Sequence, residues 1–320
     1  MAELRIWIPL VSLTPIKTLP QRLIRKCLYI AQAFVSTIAH RLGFLGAKIV
    51  GVSPIGNTLL QLNKDYALGC KGTVIELPQD QVIFDSVMRK GSYALEESKF
   101  LARGLKRACR QPNTKTALLD IGANTGLVTL QAMNLSNTTN DIFLFEPVPR
   151  HASAIKQNLM GLLNIHINEI ALSDKNGKAE IFTEAANHGN TSLLNSVVPE
   201  IGMISTPIQL IETTAYCNKF LSNFDSYVIK CDTQGMDALI LSRIPERIWK
   251  NCESAIIEVW SINEISKRDV EALLSMCQEF EHVSWHPNTG EESEIELSEV
   301  SEVWLNKSGS IKNLFLSKNL

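Results

Sequence analysis

Asp120, Gly122, Asn124 and Gly126 crowd into the stretch LLDIGANTG (118–126). A carboxylate, two glycines and an asparagine at this spacing, just past an apolar run, can shape a turn around a small polar ligand. The glycines permit a tight turn and close backbone approach. Amides that open a helix at Gly126 would face an anion. Glu146 closes a second apolar run, DIFLFE (141–146), 26 residues after Asp120. That is the spacing at which an acid accepts both ribose hydroxyls in a βαβ nucleoside site. Asp232 ends DSYVIKCD (225–232), and Glu258 lies near the end of SAIIEVW (254–260). Four apolar runs in turn thus bring a carboxylate to one edge.

The elements that must position these residues follow from periodicity. TALLD (116–120), DIFLFE, IHINEIAL (165–172), DSYVIKCD and SAIIEVW read as buried strands. Helices are expected over 126–135, 149–163, near 237–250 and over 267–280. HVSWH and IKNLFLS (311–317) close the sheet, and GKAEIFTEA (177–185) is an added strand. Alternating strands and helices imply a mainly parallel sheet covered on both faces, with ligands beyond the carboxyl ends of its strands. Upstream, GTVIEL (72–77) and QVIFDSV (81–87) read as short strands and 92–110 as a helix. Glu96 and Glu97 belong to that helix; they could approach the amino end of a bound cofactor, but exposed surface is the commoner place for such residues. The acidic segment GEESEIELSEVSE (290–302) reads as a solvated loop.

The turn lacks the middle glycine of the G-x-G-x-x-G dinucleotide pattern, which disfavours an NAD-dependent oxidoreductase. Asp120 stands where an incoming phosphate would be repelled. A ligand without phosphates and with positive charge suits it better, and S-adenosylmethionine has that chemistry: an ammonium, a sulfonium, a ribose diol and a neutral adenine. In that reading Gly122, Asn124 and Gly126 shape the turn. Asp120 orders the methionyl amino end, directly or through water. Glu146 takes the ribose hydroxyls.

Taken in order, LLDIGANTG, FEPVP (145–149), EIALSDKNG (169–177) and VIKCDTQGMD (228–237) resemble the FkbM-type methyltransferases. The resemblance covers about 80 to 317. It implies a Rossmann-like class I fold with a seven-stranded sheet, S-adenosylmethionine as cofactor, and O-methylation of hydroxyls on sugars, glycolipids, polysaccharides or secondary metabolites. The family's fourth motif reads aspartate, any residue, glutamate, glycine, any residue, glutamate. Here it is Asp232, Thr233, Gln234, Gly235, Met236, Asp237, so Gln234 replaces a carboxylate and Asp237 is one carbon shorter. That departure keeps open a cofactor-binding module without catalysis.

An alcohol acceptor must lose its proton, so a base near the transferred methyl is needed. Asp232 is the first candidate, because its strand adjoins the cofactor strand, and it counts among the cofactor-binding residues as well; a structural acid bonding the next turn is the competing role. His188, in NHGNTSLL (187–194), is the second, on a loop that could cover the substrate, although a lone loop histidine is more often merely exposed. Trp260 could stack on a substrate or cap the core, the commoner role, and Asp174 and Asn176 are expected to make a turn. No spaced His, Cys or Asp motif argues for a metal.

The 320 residues, 45% hydrophobic and 20% charged with net charge −2, suit one large domain with an extension, and nothing global points to nucleic acid. The expected division is an N-terminal extension over 1–79 and a methyltransferase-like domain over 80–320. Seven cysteines without a C-x-x-C pair favour a reducing, cytoplasmic setting. The first fifty residues carry seven Lys or Arg against Glu3, and 21–42 have the periodicity of an amphipathic helix. Such a stripe packs on the main domain, the commoner role, or lies basic-face-out on an anionic membrane. Its apolar run is too short to span a bilayer.

Overall fold

The computed structural model describes residues 46–138, 140–184, 187–194, 203–285, 294–306, 308 and 310–318. The helix expected over 21–42 lies outside them. The described chain begins with an antiparallel three-stranded sheet, β1 (Ala47–Val52), β2 (Thr58–Leu62) and β3 (Val74–Leu77). Two helices follow, α1 (Gln81–Lys90) and α2 (Leu95–Ala108).

The first correction falls on α1, where a strand was expected over 81–87. Its Val-Ile-Phe run satisfies both periods, and the ends decide. The Asp80 carboxylate accepts from the Ile83 amide at 2.9 Å, and Gly91 (φ 72) returns its N–H to Val87 O at 2.8 Å. Ile83 and Val87, four apart, then bury the same face.

Seven strands form the main sheet: β4 (Thr116–Ile121), β5 (Asp141–Phe145), β6 (Ile165–Asn168), β11 (Ser226–Cys231), β12 (Cys252–Trp260), β13 (His282–Ser284) and β14 (Ile311–Ser317). Their order is β13-β14-β12-β11-β4-β5-β6. Only β14 runs against the rest. This is the expected Rossmann-like α/β architecture. The order reverses between β4 and β11, so a crevice opens beyond their carboxyl ends.

Burial on both faces explains the continuous apolar strands. Ala117, Leu119, Ile229 and Cys231 face one core with Trp249 and Trp304. Leu118, Leu144 and Val228 face the other, with Phe100 and Leu105 of α2 and with Leu60 and Ile75 of the small sheet. The expected boundary at 79 falls between β3 and α1, yet both sides share that second core.

Three further elements differ from expectation. The run 165–172 is two strands, because β6 pairs with β5 whereas β7 (Ala171–Ser173) pairs with β10 (Met203–Glu212). With β8 (Gly177–Glu184) and β9 (Asn187–Ser192) it makes a second sheet, ordered β7-β10-β8-β9. The helix after β5 is α4 (Pro149–Asn158), following α3 (Leu127–Ser136); it stops before Gly161 (φ 98). The helix near 237–250 is two, α6 (Asp237–Leu241) and α7 (Glu246–Lys250), separated at Pro245, which has no amide to continue the first. Helix α5 (Thr213–Phe220) precedes them, and α8 (Lys267–Cys277) follows as expected. The acidic segment is not all loop: α9 (Leu297–Leu305) buries Val300 and Trp304, which carry the helical period inside an acidic sequence.

Candidate active site

The loop after β4 is pressed against two neighbouring strand ends. The amides of Gly122 and Ala123 both donate to Phe145 O, at 3.0 and 3.1 Å, and the Asp232 amide donates to Ile121 O at 2.9 Å. Gly122 has φ 76, and a Cβ there would stand 1.8 Å from Asp232 O. Only glycine fits. Asn124 (φ 51) continues the turn, and Gly126 (φ 71) opens α3 where a Cβ would meet Leu159.

Glu146, just past β5, is buried and braces this loop. Its Oε2 accepts from the Asn124 amide and its Oε1 from the Val148 amide, both at 2.9 Å, and His151 Nδ1 lies 3.6 Å away. Glu146, Asn124 and Gly122 line a cavity of about 420 Å³ at the strand ends. Phe145, Ile170 and Leu172 form an apolar wall on one side, and Tyr93, Trp260 and Ile311 stand elsewhere around it. Of the two places open to Trp260, it takes the one on the cavity wall.

Asp120 requires a correction. It is fully buried and lines neither this cavity nor the adjoining one. Its Oδ2 accepts from Thr129 Oγ1 at 2.6 Å and its Oδ1 lies 3.1 Å from Lys230 Nζ. Lys230 also donates to Gly122 O at 3.2 Å. Asp120 thus braces the loop through Lys230 and lines no cavity for direct contact with a ligand, and the charge expected to repel phosphates is matched by a buried ammonium. Burial alone would lower the Lys230 value, but Asp120 and then Asp232 outweigh it and hold the ammonium firmly protonated. Sequence reasoning passed over Lys230. The signal was a lysine in the middle of an apolar strand, which demands an acid partner. The register supplies it, since Lys230 pairs directly with Asp120 across β11 and β4.

Acidic groups gather at the ends of β11 and β12. Asp232 has a side chain 41% exposed and lines both cavities. Glu258 is buried. Gln234 (φ 55) joins them: its Nε2 donates to Asp232 Oδ1 at 3.0 Å and to Glu258 Oε1 at 2.8 Å, and its backbone amide to Glu258 Oε2 at 3.1 Å. Asp237 accepts from the amides of Thr233 and Gly235, at 3.1 and 3.3 Å, and so closes the turn. Burial first, and the charge of Asp232 second, push Glu258 well above the usual carboxylate range and Asp237 up to about 6.

Glu97 takes the inward of its two expected places. It reaches from α2 into the adjoining cavity of about 300 Å³, beside Asp232 and Lys230, and accepts from Asn313 Nδ2 at 3.0 Å. Burial and then Asp232 push it up to about 7. A larger groove of about 830 Å³ continues past Glu97 and Asn313 to Lys64, Tyr66, Arg89 and Trp285. Glu97 sits on the polar side of an amphipathic helix, so periodicity alone could not separate it from surface residues. The His188 segment forms β9 instead of a loop; the side chain of His188 lies outside the described residues, while its neighbours Thr191 and Leu193 line the large cavity. Asp174 and Asn176 make the expected turn, with Asn176 Oδ1 accepting from the Glu212 amide at 2.9 Å.

No family model matches the chain, and no curated protein does. Solved structures similar to it include a precorrin-6y C5,15-methyltransferase from Geobacter metallireducens, with 14% identity, TM-score 0.30, and 69% of this chain and 86% of that one covered. Fibrillarin from Aeropyrum pernix with bound S-adenosyl-L-methionine matches at 13% identity and TM-score 0.35, covering 84% and 99%. An S-adenosylmethionine-dependent O-methyltransferase from Thermotoga maritima matches at 12% and 0.33, covering 78% and 74%. At these levels the fold rests on the chain's own strand order, and the site on its own residues.

Proposed function

We propose that the chain is an S-adenosylmethionine-dependent O-methyltransferase whose acceptor is a hydroxyl on a sugar, glycolipid, polysaccharide or secondary metabolite. One observation carries the reading. Glu146 and Asp232 face one cavity across the point where the strand order reverses. The residues fit the cofactor. Glu146 is an ionisable acceptor with lone pairs left for a ribose diol. Ile170 and Leu172 offer an apolar wall for a flat base. The turn amides of Gly122, Ala123, Asn124 and Gly126 bond within the protein, so the amides that open α3 at Leu127 and Val128, residues lining the adjoining cavity, are the ones to meet the methionyl carboxylate. When bound, the cofactor supplies a methyl group activated by a sulfonium. Asp232 accepts the hydroxyl proton as the oxygen attacks, while the loop fixes the distance of approach.

The groove with Tyr66 and Trp285 supports an extended acceptor such as a glycan, since aromatic faces pack against sugar rings. The six described cysteines are free, which supports a cytoplasmic setting. Among the described residues no helix is long and apolar enough to cross a membrane. We further propose peripheral membrane contact through 21–42: the full chain is expected to sediment with anionic vesicles, and loss of 1–45 to abolish this.

Calorimetry with S-adenosylmethionine and NAD, followed by transfer of labelled methyl to a panel of glycans and lipids, tests the main reading. Binding of the sulfonium and turnover on a hydroxylated acceptor are expected. Tight binding with no transfer to any acceptor would assign a cofactor-binding module instead.

A further inference from the structure

We infer that Gln234 is a positioning residue, whose side-chain amide bridges Asp232 and Glu258 and fills the place that a shared proton or a divalent cation would otherwise take between two carboxylates. The inference rests on Asp232 being the proton acceptor, but its test does not require turnover.

Two carboxyl groups bracket the Gln234 side chain: Nε2 donates to Asp232 Oδ1 at 3.0 Å and to Glu258 Oε1 at 2.8 Å, so both of its hydrogens are used. The backbone amide of Gln234 binds the other oxygen of Glu258, so one residue supplies three donors to the pair. Its left-handed φ of 55, uncommon for a side chain of this size, brings backbone and side chain to the same carboxylate. One oxygen of Asp232 is thereby held, while its side chain remains 41% exposed and faces both cavities.

The surrounding charges show what the bridge does. Lys230 of β11 stands 3.9 Å from Asp232 Oδ2, but it is already matched to Asp120 of β4 at 3.1 Å. Glu97 of α2, Asp237 of α6 and Glu258 of β12 bring further carboxyl groups, each pushed up by burial and by the charge of Asp232, and Tyr93 stands at the cavity wall. Lys312 of β14 also lines the adjoining cavity, but it stands over Trp285, and among the described residues no ion pair joins it to Asp232 or Glu258. A neutral double donor holds Asp232 and Glu258 together without adding charge of either sign. A carboxylate at 234 would instead meet two others, and such a trio takes up a proton or an oxygen-seeking cation.

The test compares the full-length wild type with Gln234→Met, which keeps the length and removes the donors, and with Gln234→Glu. Carbon-13 spectra of the side-chain carboxyls across pH read the ionisation of Asp232 and Glu258. Binding of manganese ion, followed by electron paramagnetic resonance without cofactor, reads the cation site, and thermal melting confirms folding. In both variants the pair is expected to titrate higher by about one unit or more, with only Gln234→Glu binding manganese at least roughly tenfold tighter than wild type. In turnover, the acid limb of kcat against pH should move with the titration while cofactor affinity stays within a few-fold. A pair that titrates in folded Gln234→Met as it does in wild type overturns the inference. So does a wild type that binds manganese as tightly as Gln234→Glu. If the shifts occur in a protein that methylates nothing, the bridge stands and the methyltransferase reading falls.

Discussion

Lys230 Nζ lies 3.1 Å from Asp120 Oδ1 in the middle of the sheet, with side chains 5% and 1% exposed. Both ions have left water, and the Thr129 hydroxyl and Gly122 carbonyl satisfy what they do not give each other. Removing one partner strands a buried charge. Lys230→Met or Asp120→Asn alone is expected to lower unfolding free energy by about 3–5 kcal/mol. The double variant Asp120→Leu with Lys230→Met should cost less than either, since no lone ion remains. Urea denaturation checks the order, and a double variant worse than both singles would refute it.

Glu97, pushed up to about 7, and Asp237, up to about 6, give stability a pH dependence of definite sign. A carboxyl with a raised native value keeps its proton longer in the folded than in the unfolded chain. From the ordinary carboxylate range up to about 7 the native state therefore binds more protons, and stability falls as pH rises, levelling off above that. Glu97→Gln is expected to flatten the fall between about pH 5 and pH 7.5 by on the order of 2–3 kcal/mol. An equally steep fall in that variant would place the dependence elsewhere.

Gly122 is the point where the β4 loop touches the end of β11. An alanine there combines a positive φ with a Cβ 1.8 Å from Asp232 O. Gly122→Ala is expected to cost about 3 kcal/mol or more and to displace both the loop and Asp232. Loss of cofactor binding should accompany a lowered melting temperature. Full binding with an unchanged melting temperature would mean the loop stands further from β11.

The main sheet was legible because its strands are buried on both faces, so the runs at 116–121, 141–145, 226–231 and 252–260 are unbroken by surface residues. The carboxyl-end glycines were legible because their spacing has few other uses. The two-strand split at 169–170 was not, since it is decided by pairing with the distant strand Met203–Glu212, where Leu210 meets Ala171. Helix α1 was misread because its side chains suit both periods and only its caps choose. Asp120 was legible as a strand-end acid but its partner was not, because sequence order does not reveal that Lys230 lies opposite it.

Glu146 accepts from two backbone amides on one side and faces the large cavity on the other. Glu146→Gln keeps the size but turns one oxygen into a donor, which would face an amide. Hydrogen bonds to a charged acceptor contribute about 1.5–3 kcal/mol each, so a roughly 10- to 100-fold rise in Kd for S-adenosylmethionine is expected. Calorimetry measures it. An unchanged Kd would remove Glu146 from the ribose end of the site.

Asp232 separates binding from chemistry. It is the half-exposed member of a buried acidic group, held by Gln234 and 3.9 Å from Lys230. Asp232→Asn keeps the shape and can still meet the Gln234 amide through its carbonyl oxygen, but it cannot take a proton. If the aspartate removes the acceptor's proton, kcat should fall by roughly 10²- to 10⁴-fold while cofactor Kd changes little. Raising pH should recover part of the loss with acidic hydroxyl acceptors such as phenols and little with sugar alcohols, because only the former ionise unaided. Steady-state kinetics on both acceptor types distinguishes this from a positioning role, in which both would lose rate equally at every pH.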